Sequence, residues 1–591
     1  MTPARTFPNA APAATKVRAN ALSSAALQPA LLSDRARAEA PRPHQCHRRL
    51  GEAPRLWLLL ALGLTRAVAA DAPAHDVVIY GGTPAGLIAA IAAARAGVSV
   101  VVIEPTRWIG GMVTGGLART DVGRPETVGG ITREFFARAA VRYGGKFMWF
   151  AEPHANLETF ELMLREAKVE VVRGQRLLSV TRNGLRIARL TTGDGKTYAG
   201  RTFVDATYEG DLLARAGVSY LVGREGRETY GEPLAGFFPM EVRPRTEEVM
   251  GSVCACLGGT GAHYVHGTPT QIAARDAAGR LLAGINESRT LPGAADRLTQ
   301  SYNFRLIVTR RADNRIPFPQ PARYDPARYE LLRRLLAAYP GVRFGRLFHL
   351  GDVAGDKFDL NAQGFFSTDY AGGNFDYPDG DYPTRDRIWQ DHVDYVQGIL
   401  WFLGHDEGVP RGLRDETNEW GLCRDEFADN AHWPYALYVR EARRMIGDTV
   451  MTQPDCQTAP TKPDAVAMGS FVIDSHIVQR VVAADGTVFD EGAFPDAPVK
   501  PYEISYRVLT PRKSECANLL VPVCVSASHI ACCSLRMEPV YMALGHAAGL
   551  AAVTSARSGR AVQEIEVAAL QAELRAQKQV LRLPPPRPAK K

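Results

Sequence analysis

Two stretches of the chain hold residue types and spacings suited to chemistry. The first is Gly81-Gly82-Thr83-Pro84-Ala85-Gly86, followed at Glu104 by a carboxylate that ends an apolar run. A phosphate pair binds where the free backbone N–H groups and dipole of a helix N-terminus favour anions, and side chains there would bar its approach. Gly81 then permits a tight turn and Gly86 a close helix–strand contact, while Glu104 stands where a carboxylate accepts hydrogen bonds from a ribose diol. Thr83 replaces the middle glycine of the usual pattern; the plainer alternative is a structural strand–helix turn. The second stretch runs from Ser526 to Pro539 and contains His529, Arg536 and Glu538. Pro539 suits a first helical position, with Glu538 at its cap. A histidine here could move a substrate proton, and an arginine beside a helix N-terminus could stabilise developing negative charge. His529 and Arg536 are therefore the candidate catalytic residues. A hydrogen-bonded core histidine, and an ion pair of Arg536 with Glu538 or another acid, are the alternatives.

Lesser candidates lie between them. His476, in Asp474-Ser475-His476, is a possible second catalytic group. Arg440, Glu441, Arg443 and Arg444 could bind an anionic or sugar substrate, or form a solvated or lobe-bridging charge network. His432-Trp433-Pro434 and the aromatic stretch 365–377 could stack on a sugar, or be ordinary core. Nine cysteines are present, Cys46 near the start and the rest sparse, with no Cys-x-x-Cys. The local spacing of a zinc or iron–sulfur site is missing, so no metal is expected. Cys254-Ala255-Cys256 and Cys532-Cys533 could each be an oxidised pair, but buried thiols are the simpler reading.

These groups need elements to hold them. Asp76–Tyr80 is a short apolar run suited to a buried parallel strand, the glycine turn follows at once, Leu87–Ala96 is helical, and Val98–Ile103 is a second strand. Residues 169–205 read as antiparallel strands turned at Asn183-Gly184 and Asp194-Gly195, returning through Thr202–Thr207 as a core strand. Asn518–Val523 reads as a late strand and Pro539–Ala556 as a helix of small residues, in which Gly545 and Gly549 serve close packing. That antiparallel excursion favours FAD over NAD, as does the run Trp108–Leu117, rich in glycine, which suggests backbone against a large flat ligand. Leu257–Ala262 has glycines but no flanking strand and helix, so a built-in nicotinamide site is not expected.

Composition limits the rest. The chain has 591 residues, 46% hydrophobic, 23% charged, with a formal charge of +7. Residues 1–70 hold ten Lys/Arg and three Asp/Glu, which is the whole excess; the remainder balances at 60 and 60. No bulk electrostatic case for nucleic acid or an anionic membrane follows. Basic residues, the apolar run Leu56–Leu64 and Ala67-Val68-Ala69-Ala70 read as a signal peptide, too short to span a membrane. Arg48-Arg49 hints at twin-arginine export, though Leu50-Gly51-Glu52 fits that motif poorly. The expected location is periplasmic or secreted; the alternative is a cytoplasmic protein with a mis-called start.

Asp76–Arg95, Trp108–Leu117, Val204–Gly217 and Tyr502–Ala552 resemble the FAD-dependent oxidoreductases of the glutathione-reductase-like superfamily, many of them secreted bacterial proteins of unknown substrate. Tyr302-Asn303-Phe304-Arg305 and Leu437–Arg444 are similar to stretches of the same family. The cysteines depart from its iron–sulfur branch. The resemblance implies that Gly81, Gly82, Pro84, Ala85 and Gly86, with Thr83 among them, cradle the pyrophosphate. It further implies that Glu104 holds the adenosine ribose and that Gly110, Gly111 and Met112 line the flavin. Asp205-Ala206-Thr207 matches the strand that ends beside the cofactor, Tyr208 standing where many relatives have Gly. Glu538 and the N-terminus of its helix point at the flavin, where Arg536 would stabilise the charge of the reduced ring.

The expected fold is α/β: a Rossmann-like FAD-binding domain of glutathione-reductase type with a large inserted α+β substrate lobe. The parts are an extension and signal peptide at 1–70, the first part of the FAD domain at 71–222, and the lobe at 223–500. The FAD domain resumes at 501–560, and 561–591 is a C-terminal helix with a basic, Pro-rich tail. The expected function is oxidation of a small organic substrate at a C–OH or C–N bond by hydride transfer to flavin, sugars and polyols being the favoured class. Oxygen, a quinone or a redox protein would reoxidise the flavin. A non-redox FAD enzyme such as an isomerase, and a non-catalytic carbohydrate-binding or structural protein, are the alternatives.

Overall fold

In the computed structural model, strand β1 (His75–Tyr80) lies at the centre of a seven-stranded sheet. The structure describes residues 75–238, 272–287, 291–339, 341–363, 365–494 and 497–584. The leader reading, Cys254-Ala255-Cys256 and the Leu257–Ala262 turn lie outside the described residues, as does the end of the basic tail.

The sheet is built from β1, β2 (Val100–Glu104), β3 (Glu170–Arg173), β4 (Leu177–Asn183), β5 (Arg186–Thr192), β6 (Thr197–Asp205) and β7 (Leu519–Leu520). β3, β2, β1 and β6 run parallel in that order, with Ile79 opposite Val102 on one side and Val204 on the other. β1 and β2 are Val/Ile runs because both faces are covered: helical residues such as Leu87 and Leu544 pack on Val77, Ile79 and Val102, while Leu177, Ile187 and Leu190 of β4 and β5 pack with Val78 and Val101. β4, β5 and β6 form an antiparallel meander turned at Gly184 and Gly195, both with positive φ. β6 carries this meander along its first half. Its last residues pair in parallel with β7, Leu519 opposite Phe203 and Leu520 opposite Val204. β7 is shorter than the sequence predicts, because the Val521 N–H turns to the Leu509 carbonyl and Pro522 has no N–H to donate.

Helix α1 (Pro84–Arg95) begins where the Thr83 hydroxyl accepts a hydrogen bond from the Gly86 N–H. Trp108 and Ile109 lead into a single short turn, α2 (Gly111–Gly115). A short helix, α4 (His529–Leu535), precedes the expected helix α5 (Glu538–Ser558), and the expected C-terminal helix spans Val567–Ala576, while α3 (Tyr382–His405) belongs to the middle of the chain. Met537 is the N-cap of α5, so Glu538 sits within its first turn instead of at the cap and Pro539 follows it. Gly545 and Gly549 bring α5 against α1: a Cβ on either would stand 2.2 Å from the Ala85 oxygen and 2.4 Å from the Ala89 oxygen, respectively.

The middle of the chain contributes a five-stranded antiparallel sheet in the order Arg315–Ile316, Gly421–Cys423, Leu306–Thr309, Lys357–Ala362, Phe348–Val353. Its core is aromatic, with Tyr302, Phe304, Phe344 and Phe348 buried together. Phe365, Phe366 and Trp433 belong to the same core, whereas Tyr377 of the same aromatic stretch also borders the cavity described below.

Candidate functional site

The glycine turn is as tight as its residues imply. Gly81 has φ +105°, and a Cβ there would lie 2.7 Å from the Ala206 carbonyl carbon. A Cβ on Gly86 would lie 2.0 Å from the Gly81 oxygen and 3.0 Å from the Ala206 Cβ. The Thr83 hydroxyl closes the turn by donating to the Ala206 carbonyl at 2.6 Å, a bond that a glycine at this position could not make. Pro84 and Ala85 form the buried first turn of α1. Beside it opens a cavity of about 520 Å³ at the C-terminal ends of β1, β2 and β6, bordered by Gly81, Thr83, Glu104, Gly111 and Thr207. This is the crevice in which open α/β sheets bind ligands.

Glu104 reaches this cavity with both oxygens engaged. Oε2 accepts from the Gly82 N–H at 2.6 Å and Oε1 from the Thr106 N–H and hydroxyl, each at 2.7 Å. Burial raises its carboxyl to about 7 against the pull of those hydrogen bonds. Asp205 has another task. One oxygen accepts from the Thr207 N–H and hydroxyl, the other from the Leu213 N–H at 2.7 Å, so it anchors the loop after β6 and does not border the cavity. Burial raises it to about 6 against those bonds.

Tyr208 joins the two halves of the site. Its hydroxyl accepts from the Met112 N–H at 3.0 Å and donates to Glu538 Oε1 at 2.5 Å, and a Cβ on Gly111 would run into it at 2.4 Å. Gly110, with φ +88°, starts the turn that presents Met112. Burial raises the Glu538 carboxyl to about 8 against the hydrogen bond from Tyr208. Glu538 Oε2 and Arg536 Nε are buried and have no hydrogen-bond partner among the described residues. Buried polar atoms left in this condition signal a missing partner. Together with a helix N-terminus stripped of side chains beside a roomy cavity, they fit a dinucleotide bearing a polar ring system, as FAD does.

Arg536 ends α4. Its NH1 donates to the Tyr438 hydroxyl at 2.9 Å and its NH2 to Asp474 Oδ2 at 3.1 Å, and Tyr438 packs on Met112 and Leu117. The ion-pair partner is Asp474, not Glu538. His529 is 2% exposed, does not border the cavity, and meets Glu441 Oε2 through Nδ1 at 2.8 Å. Burial would raise Glu441, yet His529 and Arg444 hold it well below the usual carboxylate range. Arg444 also pairs with Glu225, whose second oxygen accepts from the His529 N–H. The charged run from Arg440 to Arg444 is thus a buried bridge between chain segments rather than a solvated face. His476 stands apart, 2.7 Å from Asp369 through Nδ1, with Arg440 on the other Asp369 oxygen. The described cysteines, including Cys532 and Cys533, are free and buried. Glu152, His154 and Glu426 approach one another, but the Lys357 ammonium lies at 2.5 Å from Glu152 and 2.9 Å from Glu426, filling the place a cation would take.

Some residues at the site escaped sequence reasoning. Tyr208 was visible only as a departure from a glycine pattern. Tyr438 and Arg305 lay in familiar stretches without a role, and Asp369 in a run read for its aromatics. Asp121 gave no signal, because a lone aspartate in a loop has no spacing to read.

Comparison with solved structures finds likenesses to parts of flavoenzymes. OxyS anhydrotetracycline hydroxylase from Streptomyces rimosus is 14% identical over 26% of this chain and 38% of its own, with a TM-score of 0.21. THI4 of Thermovibrio ammonificans is 22% identical over 26% and 66%, also at 0.21. An L-proline dehydrogenase from P. horikoshii is 16% identical over 26% and 58%, again at 0.21. This chain therefore spans less than two thirds of the length of each of these structures. No curated protein matches it. A family model described as FAD dependent oxidoreductase matches residues 76–574, from β1 past α5. A match of that extent runs through the glycine turn, the middle of the chain and the late helices alike, and so the chain belongs to the FAD-dependent oxidoreductase family, whose cofactor is FAD.

Proposed function

We propose that this protein oxidises a small organic substrate at a C–OH or C–N bond, the FAD-binding part being formed by residues 71–222 with 501–560 and the substrate lobe by 223–500. The observation that carries the reading is the pair of buried, unpartnered atoms Arg536 Nε and Glu538 Oε2, beside the Met112 turn and the α1 crevice. The first turn of α1, from Gly81 to Gly86, holds the diphosphate, and Glu104 faces the ribose. Gly110, Gly111, Met112, Ala206 and Glu538 surround the rest of the cofactor, with Asp205 bracing the loop that carries Tyr208. FAD, when bound, supplies a two-electron acceptor for a hydride. Arg536 holds positive charge where the reduced ring gathers negative charge. His529 acts as a positioning residue through Glu441, because its ring is enclosed by the chain. Export through a leader at residues 48–70 accompanies this reading; no helix of the described residues is long and apolar enough to cross a membrane.

The test is direct. The purified protein should be yellow, and anaerobic addition of sugars, polyols, amines and amino acids should identify a compound that bleaches the 450 nm band. Gly86→Val should purify colourless, since its Cβ would meet the Gly81 oxygen at 2.0 Å. Parent protein that stays colourless and takes up no FAD ends the reading. Flavin that is retained, with turnover of a substrate but no net bleaching or acceptor reduction, would favour the isomerase alternative.

A further inference from the structure

The cavity beside α1 is walled by more than the glycine turn and the strand ends. Past Glu104 its rim is formed by Arg107 and Trp108. Arg176 completes that side, held alongside by the bond from the Gln175 N–H to the Glu104 carbonyl at 2.9 Å. The facing rim comes from the middle of the chain. It consists of Tyr382, Asp386 and Trp389 on α3, with Asn430 and Tyr435 on the loop that follows the strand Gly421–Cys423. A carboxylate at the end of the second strand takes the ribose of a dinucleotide, so the base lies among these residues. Tyr382 and Trp389 give this end of the cavity aromatic surface on which a base can stack.

The two sides of the rim are fastened to each other on both flanks. On one flank the knot is Asp429. Its Oδ2 accepts from Trp108 Nε1 at 3.0 Å, its Oδ1 from the Tyr435 hydroxyl, and its carbonyl from Arg107 Nη2 at 2.9 Å. Tyr435 stacks on Trp108 with ring centroids 4.4 Å apart, and the Arg107 guanidinium lies 4.2 Å from the Trp108 ring. Burial would raise the Asp429 carboxyl, but the Tyr435 and Trp108 donors hold it below its ordinary value. On the other flank the Arg176 guanidinium makes a two-pronged pair with Asp386, at 2.8 and 2.6 Å, and lies 4.9 Å from the Tyr382 ring. The Arg176 and Asp386 side chains are 44% and 56% exposed, so their pair adds little to the stability of the fold. The turn that presents Asp429 is strained, with φ of +50° at Phe427, +52° at Ala431 and +61° at His432. Residues other than glycine keep such angles where the surroundings over-determine them, as at ligand clamps.

Resting on the flavoprotein reading above, we infer that the middle of the chain forms the outer half of the site for the adenosine end of FAD, with Asp429 and Asp386 as positioning residues that lock it over the base. The lobe then serves the cofactor as well as the substrate. The class of ligand held here is a nucleoside diphosphate, the ADP half of FAD, lying between the Glu104 side of the cavity and α3. Riboflavin 5′-phosphate lacks that half and gains nothing from the clamp. Loss of FAD requires both fastenings to open. Weakening either one raises the open fraction and, with it, the rate of release.

The test needs no turnover and follows FAD leaving the loaded protein after dilution. Asp386→Asn keeps the shape of the side chain and removes its charge, and Trp108→Phe keeps an aromatic ring and removes its N–H donor. Each should speed release about tenfold. The melting midpoint of the FAD-stripped variants should match that of the stripped parent. A parental release rate in either variant overturns the clamp as drawn. A stripped midpoint that falls as far as the loaded one also overturns it, since the fastening would then be a structural link alone. The second arm is competition. ADP in excess should displace FAD from the parent, and riboflavin 5′-phosphate at the same concentration should not. A yellow protein from which ADP displaces nothing places the base elsewhere and overturns the inference, while the cofactor reading stands. A protein that takes up no FAD removes both.

Discussion

Glu538 shows how one buried carboxyl couples the fold to pH. Burial raises it from 4.5 to about 8, so the protonated form is the one the folded chain favours. In FAD-free protein the stability tied to that proton is complete below about pH 4.5 and is lost as pH rises toward about 8. Glu538→Gln keeps an acceptor for Tyr208 and cannot ionise. Its melting midpoint relative to the parent should therefore climb by a few degrees between about pH 5 and pH 9, as read by thermal shift in FAD-stripped samples. A difference independent of pH would show that Glu538 titrates normally. At this scale the sequence was legible where residue type and spacing together encode a backbone need, as at Gly81, Gly86 and Glu104. It was illegible where a role depends on a partner far along the chain. His529 and His476 look alike as isolated histidines. Only their distant partners tell them apart, Glu441 enclosed with the first and Asp369 and Asp474 on either side of the second.

At the scale of elements, the contact between α1 and α5 governs the cofactor crevice. Gly545 meets Ala85, one residue into the first turn of α1, so a side chain there acts on the helix end that faces the cavity. Gly545→Val should cost about 3 kcal/mol or more by overpacking and should lower FAD content, read by urea unfolding and by the 450 to 280 nm absorbance ratio. An unchanged ratio would mean that α1 holds its place without this contact. The Val/Ile runs, the two Gly turns of the meander and the small residues of α5 announced these elements, since each is a local pattern. The start of α5 was announced to within a residue by Pro539, but the short α4 ahead of it was not, and Arg536, which ends α4, is held by Asp474 and Tyr438 from distant stretches. The middle sheet was equally hidden: its strands are short and paired out of sequence order.

For the whole molecule, cofactor and stability are linked. FAD that binds only the folded chain should raise the melting midpoint with concentration, adding about 2.7 kcal/mol at a hundredfold excess over Kd. A midpoint that does not move with added FAD would argue that the protein is already saturated or binds none, and the absorbance at 450 nm decides which. The α/β class and a dinucleotide site were readable from the first strand–turn–helix unit, because that unit is contiguous, and FAD from the antiparallel excursion and the Trp108–Leu117 run. The charged cluster around His476 was not, since Asp369, Arg440, Asp474 and Arg536 come from stretches that the sequence keeps apart. The same dispersal has a consequence for biosynthesis. β6 waits for β7 and α1 waits for α5, partners encoded more than three hundred residues downstream. A ribosome releasing this polypeptide exposes an unfinished parallel sheet, its apolar rim unshielded, until the last tenth of translation. A truncation that removes α5 should therefore yield aggregate rather than a smaller flavoprotein.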